Sequence, residues 1–220
     1  MAFHLIRAES RPYLSPEPEA AGERSRAQRA VEVLGADYLR WSRIGFGLLA
    51  FVGSVVGASG SSAVIDAFSG DRSPVVSAFA GVTGLALLAV LGLSLWMLIA
   101  LGLSGRRLVR SLAAWLAGPY RSGRLAPSWA GWLHTRLLMF RPGAFVRIAA
   151  ASCAALFGAY ATYAFFETVA APSANVVMYG LWAVIGFVSS VVLFSGSIRL
   201  ISGRAEADRV WRTVRDTALR

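Results

Sequence analysis

Four long apolar stretches divide the chain, and each has the length of a membrane-spanning helix. A hydrocarbon core of about 30 Å requires roughly 20 consecutive apolar residues in an α-helix. Because lipid offers no hydrogen bonds to the backbone, an α-helix is the expected structure for each stretch. The sequence therefore predicts an all-α polytopic membrane protein with four transmembrane helices, arranged as two hairpins within residues 41–103 and 148–201. The four apolar stretches are residues 44–65, 75–103, 144–166 and 176–198.

A basic connector, residues 104–147, lies between the two hairpins and holds eight arginines and no acidic residue. Apolar residues recur at helical spacing in two parts of it, one around Trp115 that Gly118 and Pro119 should stop, the other around Trp132. We expect both to be amphipathic helices on the inner leaflet, with tryptophans at headgroup depth and arginines against anionic lipid. The predicted headgroup contacts are Arg106, Arg107, Arg110, Arg121, Arg124, Arg136 and Arg141.

The remaining segments lie outside the predicted spans. Residues 1–22 combine prolines with glutamates, a composition typical of a flexible tail. Residues 23–40 have an apolar stripe at helical spacing, which predicts a cytoplasmic amphipathic helix at the membrane interface, with a partner-docking helix as the alternative. Residues 202–220 show the same pattern and predict a second cytoplasmic amphipathic helix.

The distribution of charge predicts the orientation in the membrane. The connector carries +8, residues 1–43 carry +1 and residues 199–220 carry +3, whereas each of the two remaining turns carries −1. Cytoplasmic loops are enriched in arginine and lysine, so both termini and the connector should be cytoplasmic. The net charge of +10 is therefore interpreted as a topology signal, and no nucleic acid partner is predicted. All basic residues are arginine, which indicates a GC-rich bacterial genome and hence the inner (plasma) membrane.

Small residues form regular faces on two of the predicted spans. Such faces let helix backbones approach closely, so they predict packing against other helices of this protein or against a second copy. An alternative for the first span is a break near Gly57, with residues 58–65 lining a polar cavity. The predicted packing residues are Gly53, Gly57, Ser54 and Ala58 in the first span and Ala151, Ala155 and Ala159 in the third.

The predicted spans contain few side chains that could take part in a chemical reaction. Residues 44–65, 75–103, 148–166 and 176–198 contain no ionisable side chain other than the thiol of Cys153 and the phenols of the tyrosines. Ionisable groups within a membrane mark proton relays and ion paths, so their absence argues against a pump or a proton-coupled carrier. Cys153 is interpreted as a packing residue, and the two histidines, His4 and His134, lie outside the spans. No catalytic, cofactor or metal site is therefore predicted.

Two functions of different classes are compatible with these features. The first is a non-catalytic integral membrane subunit, scaffold or assembly factor, with anionic inner-leaflet lipids and other membrane subunits or copies of itself as partners. The second is a small transporter or homo-oligomeric channel whose path is lined by the Gly/Ser-rich residues 53–62, with polar contacts from Thr83, Ser94, Tyr160 or Tyr163. The first is favoured because the spans hold few polar side chains.

Overall fold

The computed structural model describes residues 5–15, 24–69, 73–121, 142–170 and 173–205, together with residue 217. Of these, 92% are helical and none lies in a strand, which confirms the all-α class. The helices are a 3-10 helix, Ala8–Tyr13, and six α-helices: α1 Arg24–Tyr38, α2 Trp41–Ala58, α3 Gly60–Phe68, α4 Pro74–Arg121, α5 Pro142–Ala170 and α6 Val176–Ala205.

Within the described ranges, four helical stretches are long and apolar enough to cross a membrane: Ser25–Phe68, Pro74–Gly118, Phe145–Ala170 and Val176–Arg199. Many of their large apolar side chains are exposed on the protein, among them Leu93 at 68%, Leu156 at 72% and Val191 at 62%. In water such faces would favour association, whereas lipid tails are as apolar as leucine and cover them without cost. The finding supports the prediction of a multi-pass membrane protein.

The chain divides into two compact units. Unit 1 comprises residues 1–44, 100–148 and 193–220, and unit 2 comprises residues 45–99 and 149–192. Helices α2, α4, α5 and α6 each contribute residues to both units.

Unit 2 is held together by close approaches at glycine. A Cβ added at Gly60 would lie 2.5 Å from the carbonyl oxygen of Gly84, and one added at Gly186 would lie 2.7 Å from Gly158 Cα. Real side chains do not reach such distances, so α3 meets α4, and α5 meets α6, backbone against backbone. The ring of Phe157 lies between those of Phe51 and Trp182, with centroid distances of 5.8 and 5.6 Å. The glycines therefore let the helix backbones approach closely, and aromatic rings fill the space beside them.

The first predicted span is interrupted at Ser59, between α2 and α3. The amide of Ser59 donates to the carbonyl of Val56, one residue short of the regular α-helical acceptor, Val55. The released Val55 carbonyl accepts a hydrogen bond of 2.8 Å from the indole Nε1 of Trp182. An unpaired carbonyl is costly in lipid, so this bond from another helix makes the break tolerable. The interruption is one residue long, because Ser59 keeps helical dihedral angles (φ −64°, ψ −17°). The polar cavity of the broken-helix alternative stays a prediction.

Unit 1 has its own apolar core between α1 and the C-terminal part of α4. Leu34 on α1 is completely buried, and so are Leu108 and Val109 on α4. These side chains belong to one cluster with residues of the N-terminal segment, including Ile6. The apolar stripe of residues 23–40 therefore packs against protein.

The prediction of a flexible tail over residues 1–22 is wrong for residues 5–15. Ile6 is 2% exposed, and the backbone carbonyl of Tyr13 accepts a hydrogen bond of 2.9 Å from the indole of Trp115. The carbonyl of Leu14 accepts another, of 2.7 Å, from the hydroxyl of Ser111. The proline- and glutamate-rich composition of the segment did not predict these contacts, because one buried apolar side chain and two backbone carbonyls are enough to hold it against α4. The rest of residues 1–22 lies outside the described residues.

The connector does not begin with a separate helix. Helix α4 continues without interruption from the second apolar stretch to Arg121. The stop expected at Gly118 and Pro119 is therefore wrong by two residues, although the proline, which lacks an amide proton, lies within the last turn. Forty-eight residues span about 72 Å, more than twice the hydrocarbon thickness, so only part of α4 can lie in lipid. Trp115, expected at headgroup depth, is 2% exposed and packed against protein. The segment around Trp132 and most of the predicted C-terminal helix lie outside the described residues.

Candidate functional site

The buried ionic groups of the described chain concentrate in unit 1, in an arrangement that we call the arginine cluster: Arg43, Arg147, Asp37, Tyr38 and Ser104. Four helices supply it. The end of α1 contributes the carboxylate and the phenol, the first two turns of α2 and of α5 each contribute a guanidinium, and α4 contributes the hydroxyl. Hydrogen bonds within the cluster join residues as far as 109 positions apart.

Arg43 is the central cation and is 9% exposed. One of its terminal nitrogens donates to the hydroxyl of Ser104 and the other to the backbone carbonyl of Leu5, at 3.3 Å. Both acceptors are neutral. The Ser104 hydroxyl donates a hydrogen bond to the carbonyl of Leu101 on the same helix. Its oxygen can therefore accept the hydrogen bond from Arg43.

Asp37 is the cluster's carboxylate and is 1% exposed. Its Oδ2 accepts the backbone amide of Arg7 at 3.1 Å, whereas Oδ1 is buried and has no hydrogen-bond partner. Its negative charge acts on Arg43 through space, without a direct ion pair between the two side chains. Removing a charge from water is expensive unless it is paired and hydrogen-bonded, so a carboxylate this deep balances part of the positive charge around it.

Arg147 completes the cluster from α5. Its guanidinium lies 4.0 Å from the centroid of the Tyr38 ring, a cation–π contact, and it donates a hydrogen bond of 2.5 Å to the Tyr38 carbonyl. The Tyr38 hydroxyl lies against Gly196 on α6, where an added Cβ would be 2.6 Å away. Tyr38 thus connects α1 to both α5 and α6 within unit 1.

Three of the predicted headgroup arginines can be assessed in the structure. The side chains of Arg106, Arg107 and Arg110 are exposed on α4, on the side opposite the buried leucines of unit 1. Arg121 ends α4, and nothing is described of its side chain. Arg124, Arg136 and Arg141 lie outside the described residues.

The small-residue faces are used unequally. Gly53 approaches Ser94, Gly57 approaches the backbone of α4 at Leu91, and Ser54 and Ala58 are fully buried. On α5 only part of the predicted series packs within the chain: Ala151 is buried and Ala155 is half-buried, but Ala159 is exposed. The neighbouring series containing Ala154 and Gly158 makes the contact with α6 instead. Two small-residue series interlock on this helix, and the sequence alone does not distinguish which one meets a partner.

Sequence reasoning missed Asp37, Tyr38 and Ser104 as members of a buried ionic group. One signal was present: Asp37 lies three residues after Leu34 and so continues the apolar stripe of α1, where an acidic side chain has no reason to be unless it is paired. Within the described ranges no three His, Cys, Asp or Glu residues are grouped closely enough to hold a metal ion. Cys153 is exposed on α5.

No protein-family model, curated protein or solved structure matches the chain. The arginine cluster contains two buried or half-buried cations that hydrogen-bond to neutral oxygens, one carboxylate that balances part of their charge, and no nucleophile activated by a base. Such an arrangement is suited to holding helices together and to attracting an anion.

Proposed function

We propose that the protein is a non-catalytic integral membrane subunit, scaffold or assembly factor of a larger membrane complex. The observation that carries the proposal is the packing of the Gly/Ser-rich residues 53–62. Gly57 is in contact with the backbone of α4, so this part of the helix faces protein. Ser54 and Ser61 are also buried, and the hydroxyl of each donates to the carbonyl three residues before it, at 2.7 Å.

The transport alternative requires a path lined by these same residues, and this packing argues against it. Its other polar candidates are scattered: Thr83, Tyr160 and Tyr163 are exposed on the outer surface of the helices, whereas Ser94 is in contact with Gly53. Residues 44–65, 75–103, 148–166 and 176–198 also lack the charged side chains and histidines that couple transport to ions. A structural role requires only tight internal packing and exposed surfaces that contact lipid and partner proteins.

The proposal includes an orientation. Two transmembrane hairpins would be joined by the basic connector, with both termini and the connector in the cytoplasm of a bacterium and the protein in its plasma membrane. The charge distribution of the chain supports it. The exposure of Arg106 and Arg110 leaves these arginines available to anionic inner-leaflet lipids.

Single cysteines test the orientation. Asp71→Cys, Gly123→Cys and Ser173→Cys are placed one at a time in a Cys153→Ser background and exposed to a membrane-impermeant thiol reagent in intact cells. We expect labelling at positions 71 and 173, with position 123 labelled only after the cells are opened. Labelling of position 123 alone in intact cells would refute the orientation.

The assignment as a subunit is tested by comparing assembly with flux. The protein is extracted from its native membrane with its surrounding lipid and sized, and the purified protein is reconstituted into vesicles for ion and small-solute flux. We expect a particle larger than the 220-residue chain that contains other proteins in fixed ratio, and flux equal to that of empty vesicles. A homo-oligomer that conducts would reject the subunit in favour of the channel.

A further inference from the structure

The arginine cluster carries more positive than negative charge. Arg43 and Arg147 face one buried carboxylate, that of Asp37, and Arg40 contributes a further positive charge from the turn before α2. In the described part of the chain, the hydrogen bonds of both guanidinium groups go to neutral oxygens, and Asp37 acts on Arg43 through space. Guanidinium groups taken from water need a counter-charge, and the protein supplies only part of it.

Arg147 also has an unused hydrogen-bond donor. Its Nε is buried and has no partner, although another nitrogen of the same guanidinium is held by the Tyr38 carbonyl and the ring of Tyr38 fixes the plane. A buried donor without an acceptor costs about 1–3 kcal/mol in a folded protein. A fixed guanidinium with a free donor is the arrangement that binds phosphate oxygens, because its planar fork matches their spacing.

The position of these residues along the chain indicates where such a phosphate would come from. Arg147 lies two residues after the start of the candidate span Phe145–Ala170, and Arg43 lies in the first turn of α2. Residues at the ends of spans lie at the depth of lipid headgroups. Basic pockets between transmembrane helices on the cytoplasmic side are known to hold anionic headgroups.

We propose that Arg147, supported by Arg43, binds the phosphate group of one anionic phospholipid. This inference rests on the proposed orientation, in which the basic ends of the spans lie in the inner leaflet. It assigns a discrete site to Arg147, distinct from the diffuse attraction expected of the exposed arginines on α4. The bound phosphate supplies the missing negative charge at the half-buried guanidinium of Arg147.

The test is a titration of the purified full-length protein in mild detergent with phosphatidylglycerol, followed by native mass spectrometry. Phosphatidylcholine, whose headgroup is zwitterionic, and inorganic phosphate are titrated in parallel. We expect one phosphatidylglycerol to be retained at concentrations where phosphatidylcholine is lost. Arg147→Gln should weaken its binding about tenfold, the factor that corresponds to 1.4 kcal/mol.

Arg29→Gln is the matched control, because it removes the same charge from an exposed position on α1 and should leave binding unchanged. Arg147→Lys keeps the charge and removes the planar fork, and we expect it to bind less tightly than the wild type. Equal loss in Arg147→Gln and Arg29→Gln would overturn the discrete site.

The wild-type titration alone decides the case if Arg147→Gln does not fold. Equal retention of the two lipids would overturn the proposal, and binding of inorganic phosphate without a preference for phosphatidylglycerol would overturn the lipid as its source. Because the isolated protein is used, lipid binding is measured independently of any partner subunit. Failure of the subunit assignment and failure of this site are therefore distinguishable.

Discussion

Replacing Gly57 by alanine tests how unit 2 is held together. An added Cβ would lie 2.5 Å from the nitrogen and 2.7 Å from the Cα of Leu91, and 2.8 Å from the carbonyl oxygen of Leu87. All three are backbone atoms of α4, so no change of rotamer relieves the overlap. Ordinary contact begins at 3.4 Å, which requires α2 and α4 to separate locally by about 0.9 Å, the difference between 3.4 and 2.5 Å.

A separation of this size has a predictable energy. A radial gap of 0.5–1 Å forfeits roughly a quarter to a half of the dispersion energy of the atoms that line it. Overpacked sites lose about 1–3 kcal/mol. The alanine also improves helix propensity by about 1 kcal/mol over glycine, which offsets part of the loss and must be removed by a control.

Gly47→Ala is that control. Gly47 belongs to the same helix and to unit 2, and an added Cβ there meets nothing within 4 Å. Both variants gain the same propensity, so the difference between them isolates the overlap. We expect Gly57→Ala to be less stable than Gly47→Ala by about 1–3 kcal/mol.

The assay is reversible unfolding in mixed micelles, in which circular dichroism follows the loss of helix as a denaturing detergent is added. Gly57→Leu should fail to give folded protein at all, since its side chain cannot fit between touching backbones. Equal unfolding midpoints for the two alanine variants would show that Gly57 does not face α4 and that close backbone contact at this glycine does not hold unit 2 together.

Three further predictions concern single contacts. Trp182→Phe should lower stability by about 0.5–2 kcal/mol relative to Trp96→Phe in the same unfolding assay, because only the first change removes the donor to the carbonyl released at the helix break. Gly158→Leu should greatly reduce the yield of folded protein measured by size-exclusion chromatography, whereas Ala159→Leu on the exposed side should not; equal yields would contradict the contact between α5 and α6. Trp115→Phe should speed trypsin cleavage within residues 5–15, as it deletes a hydrogen bond to that segment, and an unchanged rate would show that the indole does not hold it.

The sequence by itself determined the features that depend on local composition. Apolar length gives the number of candidate spans, because the free energy of a span in lipid is a sum over its own residues. The close approach at Gly57 was also readable, since a glycine within such a span has few purposes other than packing. The break at Ser59 was present as one alternative among three, because a Gly/Ser-rich stretch permits a break without requiring it.

Tertiary structure decided the features that depend on partners distant in the chain. Arg43 opens a span, and the positive-inside rule alone explained it, yet its buried hydrogen bond is to Ser104, 61 residues away. Trp115 was expected to face headgroups, but its indole instead donates a hydrogen bond to the carbonyl of Tyr13, 102 residues earlier in the chain. An amphipathic face can be covered by lipid or by protein at similar gain, since both remove apolar surface from water. Only the fold determines which of the two is present, and with it which arginines are buried and which are exposed.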